Sequence, residues 1–103
     1  MSNPRLDALR GMADKQPRNA VVRFGLANEL LKEGRYEEAV EHLRAYLEMH
    51  DDEGAAYGKL AEALEKLGRS DDARSALGQG IEAAQRHRHS GLAAELEERL
   101  DSV

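Results

Sequence analysis

The chain has 103 residues, 41% of them hydrophobic, no cysteine and a formal net charge of −5. That length holds one domain of ordinary size, and the lack of Cys excludes disulfides, thiolate zinc sites and thiol nucleophiles. Sixteen Ala, 14 Leu, 13 Glu, 11 Arg and four Lys stand against four Val, one Ile and no Thr, a helix-forming and β-poor composition that excludes a sandwich, a barrel or a doubly wound sheet.

The first apolar-periodic segment, 4–15, opens on Asn3-Pro4, an N-cap followed by Pro at the first helical position. A second helix is expected over 20–33, behind Asn19, with Val22, Leu26 and Leu30 every four residues. Gly34 stands where a left-handed residue would end it. A third, 37–50, carries Ala39, Leu43 and Leu47. Asp52 is the expected cap of a fourth, 53–67, closed by Gly68. Ser70 precedes a fifth, 71–86, built on Ala73, Leu77 and Ile81, and Ser90 precedes a sixth, 91–101. Ala27, Ala39, Ala61 and Ala73 are small residues where paired helices would approach closely, and Gly78 and Gly80 are assigned the same role within the fifth helix.

The chain also repeats itself. Displaced by 34 positions, residues 20–53 and 54–87 share nine identities without a gap: Leu26/Leu60, Ala27/Ala61, Leu30/Leu64, Lys32/Lys66, Gly34/Gly68, Arg35/Arg69, Ala39/Ala73, Leu43/Leu77 and Glu48/Glu82. The preserved residues are the apolar and small ones at helical spacing, together with the turn glycine. This period and pattern resemble the tetratricopeptide repeat, a helix–turn–helix unit. Tyr57 stands at the family's aromatic position in the second repeat, where the first has Arg23, and Asp51 and Gln85 replace its inter-repeat proline. The resemblance implies an all-α helical solenoid, a right-handed stack of about six antiparallel helices. It forms one domain over 1–103, with an N-terminal half repeat at 4–16, full repeats at 20–53 and 54–87, and a C-terminal capping helix at 91–102.

A strict 34-residue frame would turn Glu95 and Glu98 inward in the last helix. Burying unpaired carboxylates costs far more than lengthening a loop. An enlarged loop is therefore expected at Arg86-His87-Arg88-His89, with Ala93, Leu96 and Leu100 inward and an acidic outer face. At the other end no helix covers 4–16, so Leu6, Leu9 and Met12 are expected to be half-buried.

No catalytic constellation is present. His42 and His50 lie off a common helical face, and His87 and His89 read as solvated loop residues dispensable for the fold. The runs Asp51-Asp52-Glu53 and Asp71-Asp72 fall at helix N-termini, where they complement the dipole. No enzyme activity, cofactor or metal is expected. Residues 1–50 carry eight basic and eight acidic side chains, and 51–103 carry seven and 12. Such a balance offers no basic face for nucleic acid or for an anionic membrane. No apolar run approaches the roughly 18 residues of a membrane span. The opening residues lack a signal-type apolar region, so a cytoplasmic protein is expected.

The resemblance also implies a binding role, because the family's first helices line a concave groove for peptides or partner helices. Carried over, the groove would comprise Val21, Phe24, Asn28 and Leu31 of the first repeat, and Ala55, Gly58, Lys59 and Glu62 of the second. A subgroup of the family grips chaperone C-termini with a Lys, Asn, Asn, Lys and Arg clamp. Here only Asn28 matches, with Phe24 and Lys59 in place of the first Lys and second Asn, so that mode is rejected. Phe24, the sole Phe, would face small residues at Ala55 and Gly58, either leaving a shallow pocket for a partner's side chain or folding over onto Gly58 and filling that space itself. The expected partner is a protein or peptide with an apolar anchor. The alternative is a structural protein that self-associates into a homo-oligomer, or an assembly adaptor using the same surface.

Overall fold

The computed structural model describes residues 3–103. Six helices follow one another: α1 (Pro4–Lys15), α2 (Ala20–Lys32), α3 (Tyr36–Met49), α4 (Ala55–Lys66), α5 (Ser70–Arg86) and α6 (Ser90–Ser102), with no strand among the described residues. Each end falls within a turn of its expected position. The helices form two compact units, Met1–His50 and Asp51–Val103, so α1–α3 belong to the first and α4–α6 to the second.

The helix starts follow from local hydrogen bonding. Asn3 Oδ1 accepts from the Leu6 N–H at 3.0 Å, and Asn19 Oδ1 accepts from the Val22 N–H at 3.3 Å. Asp52 acts from further back than a formal cap. Its buried Oδ2 accepts from the N–H groups of Gly54 and Ala56, both at 2.9 Å, while Gly54 occupies the cap position. Ser70 and Ser90 are not caps. Each is the first helical residue, and the cap positions belong to Arg69 and His89. His89 does cap α6, its Nδ1 accepting from the Leu92 N–H at 3.4 Å.

The helix ends explain a second departure. Gly34 and Gly68 adopt the left-handed conformation, at φ +72° and +75°. In both turns the glycine N–H bonds three residues back and the following Arg N–H five residues back: Gly34 to Leu31 and Arg35 to Leu30, then Gly68 to Glu65 and Arg69 to Leu64. The same pattern closes α5, where Arg88 N–H bonds the Gln85 carbonyl and His89 N–H the Ala84 carbonyl at 2.7 Å. Here a non-glycine residue, Arg88, sits at φ +58°. The enlarged loop expected at 86–89 is therefore absent. The extra residues lengthen α5 to 17 residues, and 87–89 suffice for the turn. Added helix gains a hydrogen bond per residue, whereas added loop gains none. The consequence for α6 is the expected one: Ala93 and Leu96 are buried and Leu100 is half-buried.

Leu6, Val22, Leu26 and Leu30 anchor the core of the first unit, with Leu9 and Leu31 packed against them. Leu6 is buried rather than half-buried, Leu9 is half-buried, and Met12 is exposed. Polar ties hold α1 in place. Arg10 makes a two-pronged bond to Glu38 of α3, at 2.7 and 3.0 Å, and Arg5 bonds Glu29 of α2 at 3.1 Å. The Arg10 hydrogen bonds hold the Glu38 carboxyl below its ordinary value. In the second unit Leu60, Leu64, Leu77 and Leu96 are buried among alanines. Ala27, Ala39, Ala61 and Ala73 are all fully buried. The two helical glycines part company. A Cβ on Gly80 would lie 2.9 Å from Tyr57 Cβ and 3.0 Å from Leu96 Cδ1, whereas one on Gly78 would meet nothing within 4 Å. Gly80 permits close packing and Gly78 does not serve it.

Candidate functional site

The apolar positions of α2 divide between two faces. Val22, Leu26, Ala27 and Leu30 are buried in the first unit, which leaves Val21, Phe24, Asn28 and Leu31 on a second stripe at i, i+3, i+7 and i+10. Val21 is 81% exposed. Phe24 is half-buried, with its ring centroid 4.8 Å from that of Tyr46 and inclined at 39°. Tyr46 is itself buried and stacks 5.1 Å from His50, so an aromatic column on α3 fixes the Phe24 ring. Asn28 is half-buried, and its Oδ1 is enclosed without a hydrogen-bond partner. Leu31 leans on the core of its unit.

The remaining expected groove residues lie on α4, in the second unit. Ala55 and Lys59 are half-buried and Glu62 is exposed. Gly58 is buried, and the open floor expected there is filled from within the unit. The Arg99 Nη2 of α6 donates to the Gly58 carbonyl at 3.1 Å, and a Cβ on Gly58 would meet Arg99 Nη1 at 3.0 Å and Leu96 Cδ2 at 3.2 Å. Arg99 lies on the helix whose outer face is acidic. Its long aliphatic stem instead carries the guanidinium inward, to a carbonyl exposed by the missing side chain at position 58.

The histidines have structural partners. Arg23 Nη1 lies 2.9 Å from His42 Nδ1, which accepts as a neutral imidazole, and burial with the Arg23 charge pushes the His42 pKa down. His87 Nε2 and Arg86 Nη2 each lie 3.1 Å from an oxygen of Asp51 and hold that carboxyl below its ordinary value. Among the described residues no group of three or more His, Asp or Glu is placed to hold a metal ion, and no helix is long and apolar enough to cross a membrane.

The tetratricopeptide repeat profile matches residues 30–96, from the last turn of α2 through α3, α4 and α5 and into α6. The chain belongs to the tetratricopeptide repeat family. Over 82 residues it is 34% identical to the TPR repeat-containing protein PA0015 of Pseudomonas aeruginosa, an alignment covering 80% of this chain and 78% of that one. In tetratricopeptide repeat terms, Phe24 and Gly58 occupy equivalent positions one period apart. The repeat therefore offers two different surfaces at the same site, an aromatic ring held by its own second helix and a backbone covered by the next helix.

Proposed function

We propose that the chain is a non-catalytic protein-interaction module whose α2 face takes a peptide or helix bearing an apolar anchor. The observation that carries this reading is the stripe itself: an almost fully exposed Val21 beside a half-exposed Phe24 and an Asn28 whose enclosed oxygen has no partner. Leaving a buried acceptor unpaired costs about 1–3 kcal/mol, and a donor N–H on a docked chain would recover it. Phe24 is already ordered by Tyr46, so its use as a contact costs little side-chain entropy. In the family the first helices of successive repeats share the binding face. On that ground Ala55, Lys59 and Glu62 of α4 are the proposed contacts of the second repeat, with Lys59 and Glu62 setting register more than affinity. Gly58 contributes through the helix packed over it.

The experiment is capture from a lysate of the native host by the wild type and by Phe24→Ala, with circular dichroism showing that the variant is folded. Truncating a central aromatic anchor costs about 2 kcal/mol or more of binding, so a captured partner should be lost or strongly weakened. Sedimentation at two concentrations separates the self-associating alternative, in which Phe24→Ala converts oligomer to monomer. If neither capture nor oligomeric state changes, the α2 face is not the binding surface.

A further inference from the structure

The geometry points to a proton-sensitive latch at Arg23 and His42, which fastens the turn between α1 and α2 to α3 while the imidazole is neutral and releases it when the imidazole takes a proton. One guanidinium makes both connections. Arg23 Nε donates to the Pro17 carbonyl at 3.1 Å, and Arg23 Nη1 donates to His42 Nδ1 at 2.9 Å. Pro17 belongs to the short turn between α1 and α2, and His42 stands half-buried in the middle of α3. The bond to His42 exists only if Nδ1 carries a lone pair. A protonated ring turns that acceptor into a donor and brings a second positive charge against the guanidinium.

The surrounding charges do not remove the conflict. Arg23 faces the ring from α2, Glu38 and Glu41 from α3 itself, and Arg10 from α1. Glu38 is already engaged by both prongs of Arg10 and lies 3.3 Å from Arg35, so it is not available to the imidazolium as an undivided partner. Burial and the Arg23 charge both disfavour the protonated ring. When the proton does bind, the guanidinium has to leave Nδ1. The planar fork holds Nη1 rigidly to Nε, so swinging the guanidinium off His42 also disturbs the Nε bond at Pro17 and weakens both ends of the latch. The device needs no ligand and does not depend on what the α2 face binds.

The test is a pH titration of the full chain by NMR from pH 7.5 to 5.0. It follows the His42 ring, the Arg23 side-chain Nε–H signal and the protection of the backbone amides in the 16–19 turn. As the pH falls from the ordinary imidazole value through that of His42, the ratio of open to closed latch should climb by up to about tenfold per pH unit and then level off. The Arg23 signal and the turn amides should change with the His42 midpoint. His42→Gln supplies an acceptor that does not titrate, and should keep the latch closed across the range. If that variant does not fold, coincidence of the three midpoints in the wild type decides. An Arg23 signal and turn protection that stay constant while His42 titrates would overturn the latch, as would the same loosening in folded His42→Gln.

Discussion

The same substitution at two glycines of α5, two residues apart, should move stability in opposite directions. Ala in a helix interior is favoured over Gly by about 0.8–1 kcal/mol. At Gly78 nothing lies within 4 Å of the added methyl, so Gly78→Ala should gain about 0.5–1 kcal/mol. At Gly80 the methyl would sit 2.9 Å from Tyr57 Cβ, 3.0 Å from Leu96 Cδ1 and 3.3 Å from the Gly54 carbonyl. Cβ and carbonyl atoms move only with the backbone, so α4 has to shift. Overpacking of this kind costs about 1–3 kcal/mol, and after the propensity gain Gly80→Ala should lose up to about 2 kcal/mol. The two variants should thus differ by roughly 2 kcal/mol, or about 8–16 °C in Tm for a domain of this size. Urea unfolding followed by circular dichroism at constant slope reads the difference directly. Equal midpoints for the two variants, or a stabilised Gly80→Ala, would refute the close approach of α5 to α4.

Arg88→Gly should stabilise the second unit by about 0.5–1 kcal/mol, the left-handed penalty of a side chain less the freedom glycine gains when unfolded; an unchanged or lower urea midpoint would count against the strained turn. Ala61→Leu should cost about 1–3 kcal/mol, against roughly 0.5 or less for the exposed Glu62→Leu, and matching thermal melts would put the α4 register in error. His89→Ala should cost about 0.5 kcal/mol, at the low end for a cap, while His87→Ala, on the rim of an exposed ion pair, should leave the melt unchanged. The pKa of Glu38 is lowered by Arg10, so its contribution is full above the ordinary carboxylate value and is lost as pH falls through its own lower one. Glu38→Gln should therefore flatten the acid limb of stability against pH, and an unaltered acid limb would discount the bond.

The fold was legible because its determinants are local or periodic. Asn3 and Asn19 cap where their side chains demand it, Gly34 and Gly68 stop helices because few other residues tolerate that backbone, and the 34-residue period aligned the buried leucines and alanines. The α5–α6 turn was misread for a physical reason. Arg88 takes a glycine's conformation, which no sequence rule would assign to arginine, so a tight three-residue turn after Arg86 was read as an enlarged loop. At the candidate site the α2 stripe was visible as a helical face. The unpaired oxygen of Asn28 was not, because satisfaction of a polar atom depends on what surrounds it in space. Gly58 looked like open floor, since nothing local ties it to Arg99 41 residues away.

With no tryptophan, the near-ultraviolet signal of this chain comes chiefly from three tyrosines, and they are unevenly placed. Tyr36 and Tyr46 report on α3 in the first unit, and Tyr57 reports on α4 in the second. Tyr46, enclosed between Phe24 and His50, sits in an asymmetric aromatic setting that gives a strong ellipticity only while those rings keep their tilt. Loss of that band, set beside loss of far-ultraviolet helicity, separates loosening of the Phe24 column from melting of the helices that carry it. The chain thus contains its own optical gauge for the surface proposed to meet a partner.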